Sequence, residues 1–137
     1  MTVRDYTDVL VVDDDPGIRQ MLCVALQHQA LSCDAAVDGA MALECLHGRD
    51  YAVLLLDLMM PRVDGFGVLA GLAARPRSSA TGPVVLVMTA FDNRHVLPAI
   101  GEAVHGLIHK PFDLVELVAL VTGCVRVRRD HLIRSMK

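Results

Sequence analysis

The apolar residues of this chain fall into short runs, separated by segments in which apolar residues recur with helical spacing. A run of about four to eight apolar residues between turn residues is typical of a strand that is buried on both faces. Apolar residues that recur every three or four positions are typical of a helix with one buried face. The pattern predicts strands at residues 9–12, 31–37, 52–56, 84–88 and 106–109.

Capping and turn residues indicate where the helices begin. Asp15 precedes Pro16, which favours a helix with Asp15 as its N-cap and Pro16 in its first position. The other helices are expected at about residues 39–48, 66–74 and 94–104, and from residue 113 onward. Strand and helix therefore alternate five times along the chain.

This alternation predicts one parallel sheet with helices on both faces and right-handed crossovers. The expected fold class is α/β, a flavodoxin-like, doubly wound (βα)5 sandwich. For the strand order we adopt 2-1-3-4-5 from known doubly wound folds, since the residues themselves do not determine it. In that order the carboxyl ends of strands one and three are neighbours, at the point where such folds bind ligands.

Polar residues follow four of the predicted strands. They are Asp13 and Asp14 after strand one, Asp57 after strand three, Thr89 after strand four and Lys110 after strand five. Three carboxylates at one edge repel each other unless a cation joins them, and hard oxygen ligands suit Mg²⁺. The sequence therefore predicts a magnesium site at this edge. The alternative is that the aspartates only cap the first helix, an interpretation that we adopt for Asp15.

Lys110 is the candidate cation of this edge. It precedes Pro111, so the peptide bond between them can be cis at small cost, which would direct the ammonium group over the sheet edge. In isolation Lys110 would be interpreted as a solvated surface lysine, but the carboxylates require a counter-charge. The hydroxyl of Thr89, at the same edge, could donate a hydrogen bond to a phosphate oxygen.

Four segments, in the order VVDDDPGIR, LLLDLMMPRVDG, VLVMTA and HKPF, closely resemble the receiver domains of two-component response regulators. The resemblance covers roughly residues 6–125. It implies a signalling switch in which Asp57 accepts a phosphoryl group from a histidine kinase or a histidine phosphotransfer protein. Thr89 and Lys110 would contact that group, and the change of conformation would regulate a partner or an output domain. The resemblance implies no enzyme, beyond self-catalysed phosphorylation and dephosphorylation at most.

The same resemblance implies a ligand set for Mg²⁺. Asp14 and Asp57 would bind the metal directly, and Asp13 would bind it through water. The backbone carbonyl of Met59 would be a further ligand.

Leu107 departs from the family pattern, which usually has Tyr or Phe three residues before the lysine that Lys110 matches. A leucine has no ring to swap between inward and outward positions, so the usual coupling of Thr89 to an aromatic residue is altered. We expect phosphorylation to occur, with a weaker or differently routed signal at the fourth helix and fifth strand.

Length, composition and net charge argue against a membrane protein, a secreted protein and a nucleic-acid binder. The 137 residues fit one domain, and although 53% are hydrophobic, no run approaches the roughly 18–20 residues of a membrane span. The amino terminus lacks the layout of a signal peptide, so we expect a cytoplasmic protein with no membrane partner. The net charge of −3 argues against a nucleic-acid binder.

Residues 1–125 are expected to form the receiver domain. Residues 126–137 form a basic tail, either an extension of the last helix or a linker to an output domain. A weak homodimer is compatible with this organisation. The four cysteines show no CxxC pair, so we interpret them as small buried hydrophobic residues rather than as a disulfide or a metal site.

Two alternatives remain open. A phosphohydrolase with an aspartyl-phosphate intermediate needs a second acid two residues after the nucleophile, and that position is Met59. A pseudo-receiver would bind partners without phosphate. The complete set of acids, threonine and lysine argues against it, whereas Leu107 is compatible with it.

Overall fold

The computed structural model describes residues 5–58, 64–73, 82–90 and 104–135. Its strands are β1 (Tyr6–Val12), β2 (Cys33–Ala36), β3 (Asp50–Asp57), β4 (Val84–Thr89) and β5 (Gly106–His109). The helices within these residues are α1 (Pro16–His28), α2 (Gly39–Gly48), α3 (Gly65–Ala73) and α4 (Leu114–Ser135). The helix predicted at residues 94–104 lies, except for its last residue, outside the described residues. Among the described helices, none is both long enough and apolar enough to cross a membrane.

The strands form one parallel sheet in the order β2-β1-β3-β4-β5, which confirms the predicted α/β class and strand order. Val12 of β1 pairs with Leu56 of β3, and Asp57 pairs with Met88 of β4. Thr89 pairs with His109 at the end of β5. This register brings the carboxyl ends of β1, β3, β4 and β5 to the same edge of the sheet.

Strand β3 is buried on both faces. Leu54 and Leu56 pack into a cluster that includes side chains of α2 and α3, while Val53 and Leu55 pack into a second cluster with side chains of α1 and α4. All four are 0% exposed. Each such side chain contributes roughly 1.5–3 kcal/mol when it is fully buried, so a slip of the strand would be costly. The position of Asp57, at the end of β3, is therefore strongly determined.

Strand β2 is shorter than the prediction, which placed it at residues 31–37. Ala30 has a φ of 61°, in the left-handed region that commonly ends a helix. The backbone N–H of Leu31 then donates to the carbonyl of Leu26 at 3.1 Å, so this residue still belongs to the end of α1. Strand pairing therefore begins only at Cys33.

Helix α1 begins as predicted. Pro16 is its first residue, and the side chain of Asp15 accepts hydrogen bonds from the backbone N–H groups of Gly17 (2.8 Å) and Ile18 (3.4 Å). Asp15 is therefore the N-cap, and its carboxylate satisfies donors that the helix leaves without a partner.

Strand β1 begins at Tyr6, whereas the prediction placed its start at residue 9. The additional segment pairs with β3 and includes a buried acid, Asp8, which is 2% exposed. The carboxylate of Asp8 accepts hydrogen bonds from the Ser32 backbone N–H (2.9 Å) and the Tyr6 hydroxyl (2.8 Å). It also accepts from Nε (3.0 Å) and Nη2 (2.6 Å) of Arg129. Arg129 belongs to α4, which continues without a break to Ser135. This ion pair ties the basic carboxyl-terminal segment to the sheet.

We expect Arg129→Met to lower the free energy of unfolding by about 1–3 kcal/mol, because it removes charged hydrogen bonds from a buried carboxylate. Burial by itself raises the pKa of Asp8, but hydrogen bonds from Ser32, Arg129 and Tyr6 hold the pKa of this carboxyl below its usual value. The stabilisation is therefore present above the unfolded-state pKa of about 4 and is lost as the pH falls through the lower folded-state value.

Urea unfolding at neutral pH and at about pH 3 measures this effect. Arg126→Met is the matched control, since Arg126 is exposed on the same helix and its loss should change stability by about 0.5 kcal/mol or less. An equal loss in both variants, or a loss from Arg129→Met that does not shrink in acid, would contradict the role of the pair.

Candidate functional site

Three carboxylates meet where β1 and β3 end. Oxygen atoms of Asp13, Asp14 and Asp57 all lie within 4.8 Å of one another. Asp13 is 0% and Asp57 5% exposed, whereas Asp14 is exposed to solvent. The structure thus brings together the three acids that the sequence placed at this edge, and it leaves one side of the cluster open.

Asp13 is held in place on several sides. Its Oδ1 accepts a hydrogen bond from the backbone N–H of Asp15 (2.9 Å), and its backbone carbonyl accepts one from Nη1 of Arg19 (2.8 Å). Arg19 lies within the VVDDDPGIR segment, but no role for it was predicted from the sequence. Its position on the second turn of α1, facing back toward the end of β1, depends on the path of the loop and not on spacing alone.

Lys110 supplies a cation to this cluster. Its Nζ lies 2.8 Å from Oδ2 of Asp13 and 3.5 Å from Oδ2 of Asp57. The peptide bond between Lys110 and Pro111 is cis, and the backbone N–H of Lys110 donates to the carbonyl of Thr89 at 2.8 Å. The lysine side chain is only 21% exposed, so the alternative of a solvated surface lysine is wrong.

The carboxylates keep Lys110 charged. Partial burial by itself lowers the pKa of Lys110, but the hydrogen bond to Asp13 and the attraction of Asp57 outweigh it and raise the pKa above its ordinary value. The side chain is therefore an ammonium ion throughout the neutral range.

Thr89 and Leu107 lie on the next two strands of the sheet, β4 and β5. Thr89 is the last residue of β4 and is 1% exposed. Leu107 pairs with Val87 in the sheet and packs, partly buried, against the core cluster that includes α2 and α3. Met59, the expected source of a backbone ligand, lies outside the described residues.

The charge of this edge determines what it can bind. Three carboxylates and one ammonium group leave a formal charge of −2. The donors are hard oxygen atoms, and one of them belongs to the exposed Asp14. Such a set fits a divalent cation of the Mg²⁺ type, which binds to few protein groups and keeps several waters.

Gly65 follows the cluster and allows the chain to pass close to β3. A Cβ atom at this position would lie 2.5 Å from Cα of Leu58 and 2.7 Å from the carbonyl oxygen of Asp57. The backbone N–H of Gly65 donates to the carbonyl of Leu58 at 3.0 Å, which joins the start of α3 to the residue after β3. The Asp64-Gly65 pair is by itself typical of a turn, whereas the close approach to Asp57 and Leu58 is a tertiary contact that the sequence pattern does not reveal.

We expect Gly65→Ala to lower the free energy of unfolding by about 1–3 kcal/mol, because its methyl group would collide with backbone atoms that cannot rotate away. Gly123→Ala is the matched control. Gly123 is exposed on α4, and a Cβ atom added there would meet nothing within 4 Å, so this change should stabilise the protein by roughly 0.5–1 kcal/mol. Urea unfolding measures the free energy of unfolding of both variants. A change of the same sign in both would contradict the proposed close contact at Gly65.

Comparison with known proteins gives, for most of the chain, the family that the four sequence segments resemble. The family model of the response regulator receiver domain matches residues 9–122. Response regulator MprA of Mycobacterium bovis is 36% identical over 133 residues, which cover 92% of this chain and 52% of MprA. The chain spans about half the length of the curated relatives it matches.

Solved structures show the same fold. The receiver domain of Francisella response regulator 1452 is 27% identical, with a TM-score of 0.76 over 88% of this chain and 97% of that chain. Response regulator TrrA of Thermotoga maritima is 26% identical, with a TM-score of 0.72 over 88% of this chain and 98% of that chain.

Proposed function

Since this chain belongs to the receiver-domain family of two-component response regulators, we propose that it is a signalling switch in which Asp57 accepts a phosphoryl group. The position of Asp57 supports this most strongly. It stands at the end of β3, with two further carboxylates within 4.8 Å and Nζ of Lys110 at 3.5 Å. A positioned acceptor, ligands for a metal and a fixed cation are the groups that phosphoryl transfer requires.

In the proposed reaction, a carboxylate oxygen of Asp57 attacks phosphorus in line with the leaving group. A new P–O bond forms, and the bond from phosphorus to the imidazole nitrogen of the donor histidine breaks. Lys110 offsets negative charge on the phosphoryl oxygens as the transition state develops. The hydroxyl of Thr89 donates a hydrogen bond to one of these oxygens.

Asp13, Asp14 and Asp57 are the residues that would hold Mg²⁺, Asp14 and Asp57 directly and Asp13 through water. The backbone carbonyl of Met59 remains the expected further ligand. When bound, the metal would neutralise charge on the transferred group. The solved TrrA structure is a complex with Mg²⁺-BeF, which supports Mg²⁺ as the metal for this chain.

The output of the switch is proposed to differ from that of most relatives. The phosphoryl group adds negative charge beside Thr89, and its attraction would shift the loops that follow β3 and β4. Leu107 cannot make an aromatic swap, so we propose a weaker or differently routed signal at β5. A large change in amide hydrogen exchange across residues 94–107 on phosphorylation would contradict this. The histidine kinase, the output domain and the cytoplasmic location stay predictions.

Intact-mass analysis after incubation with acetyl phosphate and Mg²⁺ tests the proposal. We expect one phosphoryl group on the wild type and none on Asp57→Ala. Asp15→Asn is the matched control, because Asn also caps helices and Asp15 lies outside the acidic cluster; it should be phosphorylated like the wild type. No adduct on the wild type would favour the pseudo-receiver. Hydrolysis of a small phosphate ester that survives Asp57→Asn would favour the phosphohydrolase.

A further inference from the structure

Two cysteines lie side by side between helix α1 and strand β2. Cys23 is in the middle of α1, and Cys33 is the first residue of β2. Their Sγ atoms are 2.8 Å apart. This separation exceeds the covalent S–S distance of roughly 2.05 Å by less than one ångström. Both thiols are partly exposed, as are those of Cys45 and Cys124.

The two thiols are not equivalent. The hydrogen bond between the two thiols lowers the pKa of Cys23 and outweighs the opposing effect of burial, and the positive charge of Arg19 lowers this pKa further. The same hydrogen bond, together with burial, raises the pKa of Cys33. Cys23 is therefore the thiol that ionises first, and thiolate is the reactive form of cysteine.

We propose that Cys23 and Cys33 form a dithiol that hydrogen peroxide oxidises to a disulfide between α1 and β2. The Cys23 thiolate attacks one peroxide oxygen, the O–O bond breaks, and a sulfenic acid forms with release of hydroxide, which takes up a proton to become water. The sulfur of Cys33 then attacks the sulfenic sulfur, an S–S bond forms, and its thiol proton leaves with the displaced hydroxide as a second water. Two thiols lose two electrons, and peroxide gains them.

The bond would close a short loop, residues 23–33, which comprises the end of α1 and the turn into β2. Closing a loop of this size removes conformational freedom from the unfolded chain. We therefore expect the oxidised protein to melt about 5–10 °C above the reduced protein. The proposal does not depend on phosphorylation of Asp57, since the pair lies outside the acidic cluster.

The experiment treats the folded protein with hydrogen peroxide, blocks remaining thiols with N-ethylmaleimide and digests with trypsin and a glutamate-specific protease. Residues 20–44 then form one peptide, which contains Cys23 and Cys33 and no other cysteine. We expect this peptide to be unalkylated and two hydrogen masses lighter, and dithiothreitol to restore both thiols. The double variant Cys45→Ser/Cys124→Ser should give the same product.

Single variants keep the proposal falsifiable. Cys23→Ser and Cys33→Ser should each form no internal bond and show no rise in melting temperature with peroxide. The proposal would be overturned if Cys23 and Cys33 were alkylated after peroxide to the same extent as Cys45 and Cys124. It would also be overturned if the residues 20–44 peptide were joined to a second chain instead of bonded internally.

Discussion

Lys110→Met is expected to slow phosphorylation of Asp57 by acetyl phosphate about 100- to 1,000-fold, as the loss of one preorganised charge-stabilising group does in enzymes. The ammonium group of Lys110 bridges Asp13 (2.8 Å) and Asp57 (3.5 Å), in a pocket where its side chain is only 21% exposed. Water would not replace it fully, because the side chain is largely shielded from solvent, and charges that are shielded from solvent interact more strongly with each other.

The same variant separates the role of Lys110 from that of the proposed metal ligands. Removing a cation from a cluster of three carboxylates makes the cluster more negative, so Mg²⁺ should bind as tightly as in the wild type or more tightly. Rates at saturating Mg²⁺ and calorimetric titration measure the two effects independently. Arg126→Met removes the same charge from an exposed position on α4 and should change neither quantity. A Lys110→Met variant with nearly wild-type rates would contradict the proposed role.

Asp13→Asn is expected to act on metal binding, in contrast to Lys110→Met. Its Mg²⁺ affinity should be lower by about 10- to 100-fold, as for other groups that support metal ligands. Asp13 is fully buried, and its carboxylate bonds both to the backbone of Asp15 and to Lys110. The amide keeps the shape of the side chain but removes one of the negative charges that attract the metal. Lys110 still has Asp57 as a partner, so the cation should remain near the acceptor.

Raising the Mg²⁺ concentration distinguishes this effect from a general loss of structure. We expect the phosphorylation rate of Asp13→Asn to recover most of its wild-type value at saturating Mg²⁺. Asp15→Asn, two residues later, should need no extra Mg²⁺, because its side chain serves the helix cap. A rate that stays low at all Mg²⁺ concentrations would show that Asp13 does not act through the metal.

The parts of the fold that could be predicted were those that depend on local pattern. The apolar run before Asp57 indicated a strand buried on both faces, and the cap pair Asp15-Pro16 indicated the start of α1. The strand order came from known folds, and the site followed once the order placed the strand ends at one edge. Each of these inferences needs only residues that are close in sequence, or a rule about parallel sheets.

The parts that could not be predicted depend on contacts between distant residues. An acid such as Asp8 is typical of a loop when only the neighbouring sequence is considered. In the structure it lies within the sheet, because Arg129, far along the chain, donates hydrogen bonds to its carboxylate. Gly65 follows an aspartate, as glycines in ordinary turns often do. The need for glycine at this position comes from the backbone of Asp57 and Leu58, which leaves no room for a Cβ atom. Cys23 and Cys33 match no spacing motif, because a turn and the packing of α1 against β2 bring them together. Such contacts have no periodicity that a single sequence reveals.

Borohydride trapping tests most directly whether Asp57 is the phosphoacceptor, because it identifies the residue that carries the phosphoryl group. The phosphorylated chain is treated with borohydride, which reduces an aspartyl phosphate to homoserine with release of phosphate, and the peptides are sequenced by mass spectrometry. We predict homoserine at residue 57 and at no other aspartate position, so that Asp13 and Asp14 remain unchanged. Homoserine at another position, or a phosphoryl group that borohydride does not remove, would contradict this prediction.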